Sequence, residues 1–349
     1  MNELPADSRF RLHRTSPWKL GLTISGVLLV AFLAWETAFD RWPAIINAAR
    51  EGALSRQPGG PLRDFRIALV HIALVGYLPA AFLAVVQGGR RTVWELQGAL
   101  DCTAAECANL AASVRLKPGR LVVAGLIGLL IAFTMPYFTP PVQEQLWNPR
   151  SWSPEVAWHR ILGPFAAVGI MWLVLSVSSV SRRMSRLAAG LESVDLLELR
   201  ALQPFTRQGL MNALLVLGFV SIYGLVVVTE EGFGVQALVL GPAILLVVVA
   251  ALLLPLRGVH ARILQAKEAE LAWVDSRILD QRASLKDESS AEDPGTLADL
   301  AAYRSLVHGV RDWPIGSSSY VRFALYLLIP LLSWAAAALV ERFVNALIS

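Results

Sequence analysis

A few ionisable side chains stand beside or inside long apolar stretches of this sequence, where a buried charge is costly. Glu230 and Glu231 separate two apolar stretches, and His71 lies about one helical turn inside another. Such groups often mark ion or ligand pathways, and two carboxylates at a pore mouth would concentrate cations. Alternatively, the glutamates face water at helix ends and His71 hydrogen-bonds to a neighbouring helix.

The last apolar stretch adds a second candidate surface. Tyr326, Pro330 and Trp334 recur every four residues, so they share one face of a helix. A proline inside a span frees a backbone carbonyl and kinks the helix, as at many binding sites. These three residues are therefore predicted to line a pore or ligand pathway together with Glu230, Glu231 and His71. Alternatively, their face packs against neighbouring helices, as the small residues at 335–338 suggest.

Motifs for catalysis or metal binding are missing from the sequence. Cys102 and Cys107 are five residues apart, which fits neither a zinc ribbon nor a redox Cys-x-x-Cys, and both are expected to be packing thiols. The five histidines never occur at ligand spacing, and the nucleotide-binding fingerprints are absent. We therefore predict no catalytic residue, no metal and no cofactor.

The candidate residues lie in or beside long apolar stretches, and the composition indicates that these stretches are membrane-spanning helices. Of 349 residues, 55% are hydrophobic and 17% are charged, against about 25% charged in soluble domains. Seven stretches are long and apolar enough to cross a bilayer as helices. They are residues 20–38, 67–86, 121–138, 161–180, 210–228, 237–256 and 321–340. The predicted fold is an all-α polytopic membrane protein with seven transmembrane helices.

The distribution of Lys and Arg predicts the orientation. With the N-terminus in the cytoplasm, inner segments carry 22 of the 31 basic residues and outer segments carry 8. The remaining one, Arg322, lies just inside the seventh stretch at its cytoplasmic end, where it can reach the interface. This asymmetry predicts an inner N-terminus and an outer C-terminus. The outer loop 39–66 is unexpectedly basic. Either residues 42–50 begin an interfacial helix outside, or the first stretch does not cross.

The predicted organisation has four parts. A cytoplasmic N-terminus (1–19) precedes a bundle of six spans (20–256), a cytoplasmic helical hairpin (257–319), and a seventh span with a short outer C-terminus (320–349). Further cytoplasmic helices are predicted at 92–116 and at 189–203, the second of them stopped by Pro204.

The hairpin has a heptad pattern. Leu264, Leu271, Ile278 and Leu285 recur every seven residues, and Val274 lies at the intermediate position. This pattern predicts a packing seam on a helix that continues past the sixth span with a kink near Pro255. The seam either packs within the chain or contacts another subunit or a partner protein.

Two segments, 191–210 and 311–334, resemble segments of a group of bacterial inner-membrane proteins without assigned function. They include Asp195-Leu196-Leu197 and Arg311-Asp312-Trp313. The resemblance implies a bacterial cytoplasmic membrane and no particular activity. The seven-span topology is also similar to that of insect olfactory and gustatory receptor channels, in which cytoplasmic helices assemble a tetramer around a pore. The aromatic C-terminal signature of that family is absent here.

These observations predict an oligomeric channel or ligand-responsive pore. The alternatives are a non-catalytic scaffold or sensor that binds a partner through its cytoplasmic helices, and a transporter of small solutes or lipids. The expected partners are the bilayer with its anionic lipid headgroups, further copies of the chain, and a cytoplasmic protein. The net charge of +4 and the pI near 9.3 reflect the positive inner side, so no nucleic acid is expected.

Overall fold

The structure is a computed structural model of the chain, and it describes most of its residues. The described ranges are 16–50, 61–134, 148–191, 194–227, 235–284, 295–316 and 318–330, with the single residues 332 and 339. Within these ranges every regular element is helical, which confirms the all-α prediction. The helices are α1 (Pro17–Ala38), α2 (Trp42–Arg50), α3 (Pro61–Glu95), α4 (Ala104–Ser113), α5 (Pro118–Thr134), α6 (Pro154–Ala189), α7 (Gln203–Val227), α8 (Val235–Leu253), α9 (Arg257–Ser284), α10 (Gly295–Gly309) and α11 (318–330).

Five described helical stretches are long and apolar enough to cross a membrane, and they contain α1, α3, α5, α6 and α7. Helices α8 and α9 together supply a sixth if their 56° bend lies within one span. The molecule is thus a helical bundle with five to six candidate spans. The predicted seventh span is described mainly over 318–330, so the count of seven and the orientation stay predictions.

Helix α3 lies at the centre of the bundle, where it packs against α1, α6 and α7. Leu78 and Val85 of α3 and Phe205 of α7 are fully buried in this core. By contrast, Leu22 of α1 and Leu246 of α8 are more than two-thirds exposed. Apolar side chains that point away from the core of a helical bundle are typical of helices whose outer faces meet lipid.

Small residues allow two close helix crossings. A methyl group on Gly21 of α1 would lie 2.9 Å from the Ala80 side chain and 2.9 Å from the carbonyl oxygen of Gly76, both in α3. A methyl group on Gly258 of α9 would overlap the carbonyl oxygen of Ser185 in α6. Such backbone contact gives dispersion attraction that does not depend on excluding water, so it operates in lipid.

The predicted helix over 92–116 is wrong. Helix α3 ends at Glu95, and Asp101 adopts a left-handed conformation with φ of 45°. Thr103 then starts α4, because its hydroxyl accepts from the backbone N–H of Glu106 while the Glu106 carboxylate accepts from the backbone N–H of Thr103. This capping box begins a new helix in the middle of a stretch that has the apolar pattern of one helix.

The predicted helix over 189–203 is also wrong. Helix α6 ends at Ala189, and a short 3-10 turn over Leu199–Leu202 leads directly into α7. Pro204 occupies the first turn of α7, where its missing N–H costs no intrahelical bond. The proline therefore starts a helix instead of stopping one.

The kink predicted near Pro255 is present as the 56° bend between α8 and α9. Beyond it, α10 packs on α9, with Val274 and Val307 fully buried. Tyr303 donates to a Glu270 carboxylate oxygen at 2.9 Å, and Arg304 donates to Asp275 at 2.6 Å. These contacts join the two helices within one chain.

The structure also tests the predictions for the basic loop and for the two cysteines. Residues 42–50 form α2, as the interfacial-helix prediction for the basic loop requires. The expectation that Cys102 and Cys107 are separate thiols is wrong, because the structure joins them as a disulfide. The turn between α3 and α4 brings their Cα atoms to 5.9 Å, within the range that a disulfide can bridge.

Candidate functional site

A large cavity lies where α7 and α11 begin. The bundle end formed by Trp18 of α1, Arg91 of α3, Arg207 of α7 and Arg322 of α11 is called the basic end here. At this end, the 3-10 turn before α7 and the linker 310–316 after α10 form two walls of a groove of about 790 Å³. That volume lies within the range of small-molecule binding sites.

The linker is held in place by α7 on one side. The hydroxyl of Thr206, which is 3% exposed, donates to the carbonyl oxygen of Pro314 at 2.8 Å. Pro314 and Ile315 are themselves buried. A buried backbone carbonyl needs a partner, so this bond fixes where the linker crosses α7.

Helix α9 holds the linker on the other side. The ammonium group of Lys267 donates to the carbonyl oxygen of Val310 and to the carboxylate of Asp312, both at 2.9 Å. His260 Nδ1 is hydrogen-bonded to the carbonyl oxygen of Asp312 at 2.8 Å, and its ring stacks on Trp313 with 4.1 Å between centroids. The groove wall is therefore positioned by side chains from two helices and is not a free loop.

The groove has two chemically different parts. Its rim carries the exposed guanidinium groups of Arg200, Arg207, Arg311 and Arg322. Its floor is made of apolar side chains and one aromatic ring. The floor residues are Leu210, Met211, Leu214 and Tyr326.

The charge of the groove is strongly one-sided. Its described lining holds four arginines and not a single Asp or Glu. Arginine stays protonated at all ordinary pH values and offers a planar set of donors suited to phosphate and carboxylate oxygens. An anionic group at the rim would meet these donors while an attached apolar chain covers the floor.

Arg207 stands between the groove and a smaller cleft on the other side of α7. Its guanidinium pairs with the carboxylate of Glu95 at the end of α3. The other oxygen of Glu95 accepts from Arg91 at 3.0 Å. One carboxylate thus ties the end of α3 to the first turns of α7.

Below this ion pair a short polar chain runs into the bundle. The Gln208 side chain donates to Asn212 at 2.8 Å, and Asn212 donates to the hydroxyl of Ser181 in α6 at 3.1 Å. All three residues are at most 2% exposed. The chain joins α6 and α7 through hydrogen bonds where the surrounding side chains are apolar.

The structure brings only part of the predicted pathway to this site. Tyr326 lines the groove floor, and Pro330, one helical turn further along α11, is buried. Glu230, Glu231 and Trp334 lie outside the described residues.

His71 is far from the groove. Its ring lies 5.2 Å from that of His159 in α6, and its Nδ1 is hydrogen-bonded to the carbonyl oxygen of Ile67 at 2.9 Å. Twenty residues of α3 separate His71 from Arg91, which corresponds to about 30 Å along the helix axis. The structure therefore does not bring His71 to the groove, and its place on a pathway with Tyr326 stays a prediction.

The heptad residues are also elsewhere. Leu264, Leu271 and Ile278 are half-buried on α9, and Leu285 lies outside the described residues. Val274 of α9 and Val307 of α10, by contrast, are fully buried.

Sequence reasoning missed the four rim arginines as a site. Arg200, Arg207 and Arg311 contributed only to the excess of positive charge on the inner side, and Arg322 only marked the inner end of the seventh predicted span. The available signal was the absence of acidic residues at 199–214 and at 313–326, beside apolar stretches. That signal could not pair the two segments, which are about 100 residues apart.

The described residues contain no group of three or more His, Cys, Asp or Glu side chains able to hold a metal ion. Comparison of the chain with protein-family models, curated proteins and solved structures gives no match. The function of the groove is therefore inferred from its charge, its shape and its lining residues.

Proposed function

We propose that this protein is a multispan membrane protein that binds an anionic amphiphile, such as an acidic phospholipid, in the groove at its basic end. The observation that carries the proposal is the groove lining, which combines four arginines and no carboxylate at the rim with an apolar floor. Of the predicted functions, such a site most directly supports the transporter of small solutes or lipids. A bacterial cytoplasmic membrane, rich in anionic lipid, is the proposed location.

The depth of the groove matches the shape of such a ligand. Arg207 and Leu214 are seven residues apart on α7, which places the apolar floor about 10 Å below the charged rim. A phosphate at the rim would thus leave its acyl chains at the level of Leu214 and Tyr326. Basic pockets between helices at a membrane interface bind lipid headgroups through the same combination of charge and apolar contact.

The proposal is tested by titrating the purified protein with phosphatidylglycerol in detergent and counting bound lipids by native mass spectrometry. The variant R200Q/R311Q/R322Q removes three rim charges and leaves the Arg207 ion pair intact. We expect its affinity to fall about tenfold or more, because each basic residue near a lipid headgroup contributes about 1 kcal/mol. Unchanged affinity would refute the groove as the binding site.

A matched control removes the same charge elsewhere. Arg182 of α6 and Arg277 and Arg282 of α9 are exposed and do not line the groove. The variant R182Q/R277Q/R282Q should bind phosphatidylglycerol like the unaltered protein. Glycerol phosphate, which has the headgroup charge without acyl chains, should bind far more weakly than the lipid. Equal binding of the two would indicate a site for free phosphates.

The channel, scaffold and oligomer hypotheses stay predictions. Glu230, Glu231 and Trp334, three of the six residues predicted to line the pore, lie outside the described residues. The contacts between α9 and α10 lie within one chain, so they favour the version of the hairpin that packs on itself.

A further inference from the structure

A second cleft opens at the basic end between α1, α3 and α7. Its volume is about 320 Å³, and it is separated from the groove by Arg207, Met211 and Leu214, which line both cavities. The exposed ring of Trp18 at the start of α1 stands at its mouth.

The charges of this cleft differ from those of the groove. Its lining includes Arg91 and Arg207 and also the carboxylate of Glu95, which accepts from both arginines. A carboxylate has about four lone-pair positions, so these two bonds leave it able to accept further donors. The cleft therefore offers both a cation and an anion within one small space.

Polar groups continue below the charged mouth. Thr92 and Gln208, which are 4% and 2% exposed, belong to the cleft wall. Deeper still, the wall becomes apolar with Ala84 and Leu215. Glu95 and Ala84 are eleven residues apart on α3, so the cleft extends about 16 Å from the charged mouth toward the middle of the bundle.

We propose that this cleft binds a zwitterionic phospholipid whose headgroup carries a primary ammonium. The phosphate is placed on the guanidinium of Arg91, and the ammonium donates to Glu95. The glycerol and the upper part of an acyl chain lie along Ala84 and Leu215. An anionic lipid without an ammonium would set its negative charge beside Glu95 and gain no donor in return, so the two cavities select different headgroups.

The test uses photoreactive phosphatidylethanolamine and phosphatidylglycerol, each with a diazirine near the glycerol end of one acyl chain. Each probe is incorporated with the protein into phosphatidylcholine nanodiscs, and the labelled peptides are mapped by mass spectrometry. The ethanolamine probe should label residues 84–92 about fivefold more than the glycerol probe, the size of effect expected for one added charge-assisted hydrogen bond. Equal labelling by both probes would overturn the proposal.

Two variants assign the ammonium contact. Glu95→Gln should abolish the preference for phosphatidylethanolamine, whereas Glu268→Gln, which removes an exposed carboxylate on α9, should leave it unchanged. A preference that survives Glu95→Gln would overturn the proposal. If loss of the Glu95 link between α3 and α7 prevents folding, Arg91→Gln tests the phosphate contact without touching α7. Arg91→Gln should reduce labelling of residues 84–92 by the ethanolamine probe to the background level. Unchanged labelling would again contradict the site.

The groove and the cleft are read from different peptides in the same digest. Labelling at 310–326 reports the groove, and labelling at 84–92 reports the cleft. Failure of the cleft proposal therefore leaves the proposed function untouched, and the reverse also holds.

Discussion

The hydroxyl of Thr206 in α7 donates a hydrogen bond to the backbone carbonyl oxygen of Pro314, 108 residues later in the chain. This buried bond joins the start of α7 to the linker before α11, and these two segments carry arginines on both walls of the groove. Its removal is therefore informative about both stability and binding.

Thr206→Val keeps the shape of the side chain and removes the donor. We expect a loss of about 1 kcal/mol or more in unfolding free energy, because the buried carbonyl of Pro314 loses its partner. Binding of phosphatidylglycerol should weaken as the linker moves. The control is Thr134→Val, since the exposed Thr134 hydroxyl donates to the carbonyl oxygen of Leu130 in its own helix. Unfolding in detergent measures the stability, and native mass spectrometry measures the binding of phosphatidylglycerol. Equal stability and equal lipid binding of the two variants would contradict the proposed role of the Thr206 bond.

The pairing of α9 with α10 inside one chain can be trapped with engineered cysteines. Asp275→Cys and Arg304→Cys replace side chains that are in direct contact across the two helices. After Cys102 and Cys107 are changed to serine, a short thiol-to-thiol cross-linker, which spans the length of the lost arginine side chain, should give a cross-linked monomer on a denaturing gel. A cross-linked dimer as the main product would show that the hairpin contacts another subunit. Arg277→Cys, on a different exposed position of α9, serves as the unpaired control with Arg304→Cys.

Tyr303 should titrate at an unusually high pH. Its hydroxyl donates to the Glu270 carboxylate, and this bond raises the pKa of Tyr303 above the ordinary value of 10.0. Because the folded pKa is raised, the stabilisation is complete below pH 10 and is lost as the pH rises through the folded pKa.

The difference in phenolate absorbance between the unaltered protein and Tyr303→Phe isolates this titration. Its midpoint should lie above 10 and should move down in Glu270→Gln but not in Glu268→Gln. A midpoint that does not change in Glu270→Gln would contradict the contact.

The crossing of α1 and α3 should tolerate no side chain at Gly21. A valine there would press on Ala80 and on the backbone of Gly76, and overpacking of this kind costs about 1–3 kcal/mol. Gly26 provides a matched control on the same helix, because nothing lies within 4 Å of a methyl group placed there. Unfolding in detergent should show Gly21→Val to be clearly less stable than Gly26→Val. Equal stabilities would show that α1 does not pack on α3 in this way.

The length and composition of the apolar stretches were enough to predict the helical bundle. Five of the predicted spans are confirmed as long apolar helices, because backbone satisfaction in lipid leaves helices as the only local solution. The kink at Pro255 followed from the same local rules. Such features depend on neighbouring residues alone, so a sequence can reveal them.

Boundaries and sites depended on contacts that the sequence does not display. The helix predicted over 92–116 was wrong because the cap at Thr103 overrides a continuous apolar pattern. The groove was missed because its rim joins Arg200 and Arg207 to Arg311 and Arg322 only after α7, α9 and the linker have packed. In a sequence, Lys and Arg beside a span indicate only which side of the membrane a segment faces. The fold is needed to show which of these side chains line the same groove.

The most direct measurement follows the fluorescence of Trp313, which lines the groove. Its signal is obtained by subtracting the Trp313→Phe variant, and nanodiscs supply brominated phosphatidylglycerol or brominated phosphatidylcholine at equal mole fraction as quencher. If the groove binds anionic lipid, the brominated phosphatidylglycerol quenches Trp313 more strongly, and this preference disappears in R200Q/R311Q/R322Q but persists in R182Q/R277Q/R282Q. Equal quenching by both lipids, or a preference that survives loss of the rim arginines, would contradict the account.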